Sequence, residues 1–180
     1  MTLSRGRDTK TPAAQGRRAW LPPRWFVVAF WRVHRAVVRR SRGRFGLWLP
    51  KPDGWGAMRL TTIGRRTGQQ REVVLGYFED GRNLVTMAMN GWGAPEPAWW
   101  LNLQVHPDAT VQTKAGTRAV RAHRAVGDER ARLWTRWGEI DKNLDGYAAR
   151  RPAETAVVVL EPRDAASRPS RDIALPSSDA

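Results

Sequence analysis

Apolar residues fall along this chain in short runs separated by turn-forming residues, with one longer stretch of helical period. Ala57 to Ile63 and Glu72 to Phe78 are rich in β-branched and aromatic residues and flank a glycine-containing turn, the pattern of paired strands. Glu79-Asp80-Gly81-Arg82 then supplies a hairpin turn into a third strand, Asn83 to Met89. After the Gly/Pro loop NGWGAPEP, Ala98 to Val105 reads as a short helix stopped before Pro107, since proline steers its predecessor out of the helical region. Ala109 to Lys114 and Arg118 to Val126 form a second hairpin around Ala115-Gly116. Gly127 to Ile140 is the clearest helix. Leu133, Trp137 and Ile140 make its apolar stripe, and Asp128 and Glu129 sit in the first turn, where the helix dipole favours negative charge. Thr155 to Leu160 is an apolar run without alternation, as a fully buried strand requires. Six short strands, mostly hairpin-linked, predict a mainly β fold built on a small antiparallel barrel with flanking helices.

The pattern changes outside residues 45–162, the predicted barrel domain. Residues 1–19 are polar, basic and aperiodic, and predict a disordered tail; they carry no apolar core of a secretory signal. Residues 20–44 predict an amphipathic N-terminal helix, beginning after Pro22-Pro23 and running from Trp25 to Arg40. Its unbroken run WFVVAFW is far shorter than the roughly 20 residues of a membrane span. Arg32, Arg35 and Arg39 share one stripe and most of the remaining surface is apolar, which suits either an anionic membrane surface or packing on the barrel. Residues 163–180 read as a disordered C-terminal tail. The expected location is cytoplasmic, with peripheral contact to the inner face of the plasma membrane as one of the two roles of residues 20–44.

Composition narrows the chemistry. The absence of cysteine removes disulfides, iron–sulfur clusters, thiolate zinc sites and cysteine nucleophiles, and fits a reducing compartment. His34, His106 and His123 have no metal-ligand spacing, so no metal is expected. Every serine lies in the terminal segments, which excludes a serine nucleophile in the barrel. Chemistry therefore falls to a cofactor. The net charge of +14 is lopsided: Met1 to Arg71 carries 17 Lys or Arg against Asp8 and Asp53, while the remainder is nearly balanced. A solvated tail, anionic lipid, nucleic acid or a polyanionic cofactor would each fit that excess.

Two segments carry the candidate chemistry. In Thr61-Thr62-Ile63-Gly64-Arg65-Arg66-Thr67-Gly68, followed by Arg71, a strand ends in hydroxyls and a glycine-bracketed turn presents adjacent arginines. Backbone N–H groups of such a turn can form an anion nest, and arginine adds bidentate bonds to phosphate oxygens; an ordinary hairpin with basic tips reads the same way. In Asn90 to Leu103 (NGWGAPEPAWWLNL), glycines allow close approach to a planar ligand and Trp92, Trp99 and Trp100 offer aromatic walls. Trp99 and Trp100 cannot share a helix face, so at least one is expected to point away from the core.

LTTIGRRTGQQR, NGWGAPEPAWWLNL with HPDATV after it, and AVVVLEP together resemble the deazaflavin-dependent nitroreductase and quinone reductase family, over about Phe45 to Pro162. The resemblance implies a split β-barrel of the type that binds flavin mononucleotide, and as cofactor coenzyme F420 (8-hydroxy-5-deazaflavin), with a phosphodiester and an oligoglutamate tail. It implies that Thr62, Gly64, Arg65, Arg66, Thr67, Gly68 and Arg71 bind the cofactor, with Arg65, Arg66, Thr67 and Arg71 holding the phosphodiester region. Met89, Asn90 and Gly91 should line the ring, with Trp99 and Asn102 in the helix behind. An oligoglutamate tail also accounts for the basic excess better than nucleic acid, for which no motif is present. Two positions depart from the family: Val74 stands where proline is usual, and the loop Asp141 to Arg151 holds the single tyrosine Tyr147 where nitroreducing members carry several. The expected activity is hydride transfer from reduced deazaflavin to a quinone, enone or nitroaromatic acceptor, with Tyr147 as candidate catalytic proton donor. The rivals are an FMN-dependent oxidoreductase and a non-enzymatic deazaflavin or lipid carrier.

Overall fold

The computed structural model describes residues 46–93 and 95–163, with Arg40 alone before them. The predicted tail 1–19, nearly all of segment 20–44 and all but the first residue of 163–180 lie outside the described residues. The strands are β1 (Gly56–Ile63), β2 (Gln70–Asp80), β3 (Asn83–Met87), β4 (Asp108–Thr113), β5 (Gly116–Arg124) and β6 (Val157–Pro162). The helices are α1 (Ala98–Val105), α2 (Gly127–Ile140) and the short α3 (Leu144–Ala148), with a 3₁₀ turn at Asn90–Trp92. The strands close a barrel in the order β1-β2-β3-β6-β5-β4, every pair antiparallel. Closure leaves no unpaired edge in the sheet.

Alternation along the strands divides the apolar residues between two layers. Met58 and Leu60 of β1, Tyr77 of β2, Leu84 of β3, Val111, Val120, Val158 and Leu160 fill the interior. Trp99, Trp100 and Leu103 of α1 join that cluster, so α1 closes one end of the barrel. On the outside, Phe78, Val85, Met87, Val157 and Val159 meet Leu133 and Trp137 of α2 and Leu144 of α3. Strand β6 feeds both layers, which is why its sequence runs apolar without a break. The rings of Phe78 and Trp137 pack 5.5 Å apart. Between the clusters nearly every large apolar residue of the described chain is used. Trp48, Leu49 and Trp55 are the exceptions around the start of β1, at 39%, 46% and 41% exposure.

Several elements differ from the sequence reading. Strand β3 ends at Met87 rather than Met89: Met89 N–H turns back to the Met87 carbonyl, and Asn90 and Gly91 adopt left-handed backbone. Strand β5 begins at Gly116 and ends at Arg124, two residues earlier at each end than expected. Both Trp99 and Trp100 are core, in edge contact at 6.3 Å, so neither points away from the interior. A helix of two turns that plugs a barrel is apolar on most of its surface, and face counting does not apply to it. The predicted loop after the long helix contains α3.

Candidate active site

Because neighbouring strands alternate in direction, β1, β3 and β5 all finish at one end of the barrel, where β2, β4 and β6 begin. The opposite end is closed by tight hairpins at Gly81-Arg82 and Lys114-Ala115. The three longer connections, 64–69, 88–107 and 125–156, therefore gather at one end, and each carries one group of the residues singled out from sequence.

The first connection is a compact turn. Gly64 N–H donates to the Gln69 carbonyl at 2.8 Å, and the N–H groups of Thr67 and Gly68 both reach the Gly64 carbonyl. A side chain at Gly64 would come within 3.1 Å of the Gln69 carbonyl, and Gly68 has φ +67°, so a side chain at either position would crowd or strain the turn. Arg66, Thr67 and Arg71 are exposed at its rim, and Arg65 is half-buried at its base. Thr67 Oγ1 accepts the Gln69 N–H at 3.4 Å, and Arg71 donates to Gln69 Oε1 at 3.4 Å.

Asn102 of α1 is what fixes this turn to the barrel. It is 4% exposed; its Oδ1 accepts both the Arg65 backbone N–H at 3.2 Å and the Arg65 guanidinium at 3.3 Å. Its amide Nδ2 donates to Thr62 Oγ1 at 3.2 Å, and the Thr62 hydroxyl donates in turn to the Arg71 carbonyl at 3.4 Å. The two arginine donors fix which end of the amide faces the turn. Thr62, Arg65, Arg71 and Asn102 thus form one network. Thr62 and Asn102 lie inside it, while the guanidinium groups of Arg66 and Arg71 face outward. That donor set suits a phosphodiester and a polyanionic tail.

In the second connection Asn90 (φ 45°) and Gly91 (φ 58°) turn the chain sharply, and Asn90 Nδ2 donates to the Pro95 carbonyl at 2.9 Å. Met89 is half-buried against the outer cluster, and Trp99 is 8% exposed within the inner core. In the third, Tyr147 is half-buried on α3. The acidic neighbours of Tyr147 are engaged locally: Asp145 accepts the Trp134 indole N–H at 2.7 Å, and Asp141 accepts the Asn143 N–H at 3.1 Å.

Sequence reasoning missed Arg151. Its enclosed guanidinium donates to the Ala88 carbonyl, to Thr155 Oγ1 at 3.1 Å and to Glu96 at 3.0 Å, bridging the second and third connections. An Arg-Arg-Pro after a helix gives no sign of burial; the apolar residues around it give the only hint. Among the described residues no cluster of His, Cys, Asp or Glu could hold a metal ion, and no helix is long and apolar enough to cross a membrane.

A closed six-stranded antiparallel barrel, plugged by a helix and bearing a basic turn at the plugged end, is a split-barrel fold with a basic rim. The chain belongs to the F420H(2)-dependent quinone reductase family, whose model matches residues 30–162. It is an oxidoreductase with coenzyme F420 as its cofactor. A candidate F420H(2)-dependent quinone reductase of Mycobacterium tuberculosis, Rv3178, is 33% identical over 99 residues, 55% of this chain and 83% of the relative. Among solved structures, an F420-H2 dependent reductase, FDR-A, matches with TM-score 0.54 at 22% identity, over 64% of this chain and all of its own. A chain solved as a domain-swapped dimer matches with TM-score 0.56 at 21% identity, over 75% and 99%. At that identity both likenesses bear on the fold.

Proposed function

We propose that this protein reduces a quinone at the plugged end of the barrel, with enones as the next best acceptors and nitroaromatics the poorest. When bound, reduced coenzyme F420 supplies the hydride. The chain's own residues then bind, orient and protonate. Arg66, Arg71 and Thr67 hold the phosphodiester and acidic tail, and Arg65 supports them from the base of the turn. Thr62, Gly64, Gly68 and Asn102 set the shape of that turn rather than touching the ring. Met89, Asn90 and Gly91 line the ring, with Trp99 as the floor behind them, and Tyr147 delivers the proton that completes two-electron reduction. The catalytic unit is residues 45–162. Segment 20–44 brings it to anionic membranes, where a lipid-soluble quinone is met, and the exposed Trp48, Leu49 and Trp55 supply further apolar contact.

The observation that carries the binding half of this reading is the Asn102-anchored arginine turn at the end shared with the other two connections. Arg66 is the variant of choice because it is exposed and outside the Asn102 network. Arg66→Ala is expected to weaken binding of oxidised coenzyme F420 by about 1.5–3 kcal/mol, the range for a hydrogen bond to a charged group. Shortening the glutamate tail should weaken the wild type too, more strongly at low salt. Equal affinity of Arg66→Ala and wild type in titration calorimetry would remove the turn from the site.

A further inference from the structure

Arg151 grips both ends of the loop that carries Met89, Asn90 and Gly91. On the near side it donates to the Ala88 carbonyl, and on the far side to Glu96 Oε1 at 3.0 Å. Between those anchors the backbone passes through two successive left-handed residues, Asn90 and Gly91. Arg151 also donates to Thr155 Oγ1 at 3.1 Å, and its own N–H reaches the Ala148 carbonyl at the end of α3 at 3.0 Å. Tyr147 lies on that same turn of helix. One residue therefore joins the two parts: its side chain holds the loop assigned to the ring, and its backbone N–H is bonded to the end of the helix assigned to the proton donor.

The chemistry of the pair fits a fixed geometry. The Arg151 side chain is 0% exposed, and a charge enclosed in that way needs a charged partner; Glu96, at 26%, supplies it. The pair is closed through Nη2 and Oε1 alone, while Arg151 Nε and Glu96 Oε2 are enclosed without a partner among the described residues. The guanidinium is thus placed to reach Ala88, Thr155 and Glu96 together, at the expense of a two-armed contact with the carboxylate. Lysine at this position keeps the charge but lacks the planar fork that spans three acceptors.

We propose that Arg151, paired with Glu96, is a positioning residue of the reductase: it sets the spacing between the Met89-Asn90-Gly91 turn and Tyr147. The inference rests on the ring and donor assignments made above. Its test uses full-length wild type, Arg151→Lys and Glu96→Gln. Oxidised coenzyme F420 and its tail-less deazaflavin riboside are each titrated by fluorescence, with thermal melting alongside. Because the pair acts at the ring end, each variant should lose affinity for both ligands by the same factor, on the order of 10- to 100-fold for a misplaced loop. At saturating reduced coenzyme, kcat with menadione should fall as well; Glu96→Gln leaves the enclosed guanidinium without its charged partner, so it should melt below wild type and is assayed at a temperature where melting shows it folded. If Arg151→Lys fails to fold, Glu96→Gln alone decides. Wild-type affinity and kcat in folded Glu96→Gln, or a loss confined to the tailed coenzyme, would overturn the proposal. Failure of the wild type to bind either ligand would overturn the site assignment beneath it.

Discussion

Arg65 and Arg66 are neighbours in sequence and differ in what they touch. Arg65 spends its backbone N–H and its guanidinium on Asn102, whereas Arg66 is exposed beyond the turn. Substituting Arg65 would therefore disturb the turn itself, and substituting Arg66 reports on the ligand. Tyr147 poses a similar question about a single side chain. It sits on α3 four residues before the buried Arg151, whose guanidinium is hydrogen-bonded to the Ala88 carbonyl just past β3. If its hydroxyl supplies the proton, Tyr147→Phe should lower quinone turnover by roughly 10²-fold, within the usual range for general acid catalysis. Single-turnover reoxidation of the reduced coenzyme by menadione measures this. An unchanged rate would make Tyr147 a packing residue and water the proton source.

At the scale of elements, β2 holds an apparent flaw that is open to test. Tyr77 faces the barrel interior opposite Gly56, 0% exposed, and its hydroxyl has no hydrogen-bond partner among the described residues. Burial, reinforced by the charge of Glu79, pushes its phenol up from 10.0 to about 12. The neutral phenol is the form the fold favours, so its contribution is complete below pH 10 and is lost as pH rises toward 12. Tyr77→Phe removes an unsatisfied buried group and should stabilise the fold by on the order of 1 kcal/mol at neutral pH. The variant should also lose less stability than wild type between pH 10 and 12, as urea unfolding at a series of pH values would report. A destabilised Tyr77→Phe would mean that the hydroxyl has a partner.

Elements were legible in the sequence where one physical signal dominated. Strand β1, helix α1 and helix α2 follow from β-branched runs, from proline punctuation and from a 3.6-residue apolar stripe. What escaped had competing or non-local causes. The end of β3 is set by Asn90 and Gly91 turning the chain, although Ala88 and Met89 look like continued strand. Helix α3 is barely more than one turn, too short for any period to appear. In the site, the arginine turn was visible because its glycines and arginines are contiguous. The joining of Asn102 to Arg65 spans 37 positions, and that of Arg151 to Glu96 spans 55; neither leaves a local pattern.

On the scale of the whole molecule the barrel is asymmetric. Tight hairpins close one end, and the three long connections that carry the arginine turn, the 89–91 loop and Tyr147 all start and finish at the other. Family membership makes F420-dependent oxidoreduction the activity of this unit. Segment 20–44 adds a basic, tryptophan-bearing flank whose proposed role is tested by co-sedimentation with anionic and neutral vesicles. Full-length protein should sediment with anionic vesicles and a chain starting at Phe45 should not, since each arginine near such a surface contributes about 1 kcal/mol. Equal sedimentation of the two would contradict that role.

The central claim is that the plugged end delivers hydride to quinones in preference to nitro compounds. Nitro reduction develops charge on two oxygens and calls for several donors. The segment from Asp141 to Arg151 offers Tyr147 with Lys142 and Asn143, and the carboxylates of Asp141 and Asp145 add negative charge there. A quinone leaves one phenolate-like oxygen, which a single donor serves. The deciding measurement is kcat/KM for reoxidation of reduced coenzyme F420 by menadione, cyclohexenone and a bicyclic nitroimidazole under anaerobic conditions. Menadione highest and the nitroimidazole lowest is the predicted order; a nitroimidazole preference, or no turnover of any quinone, would contradict it.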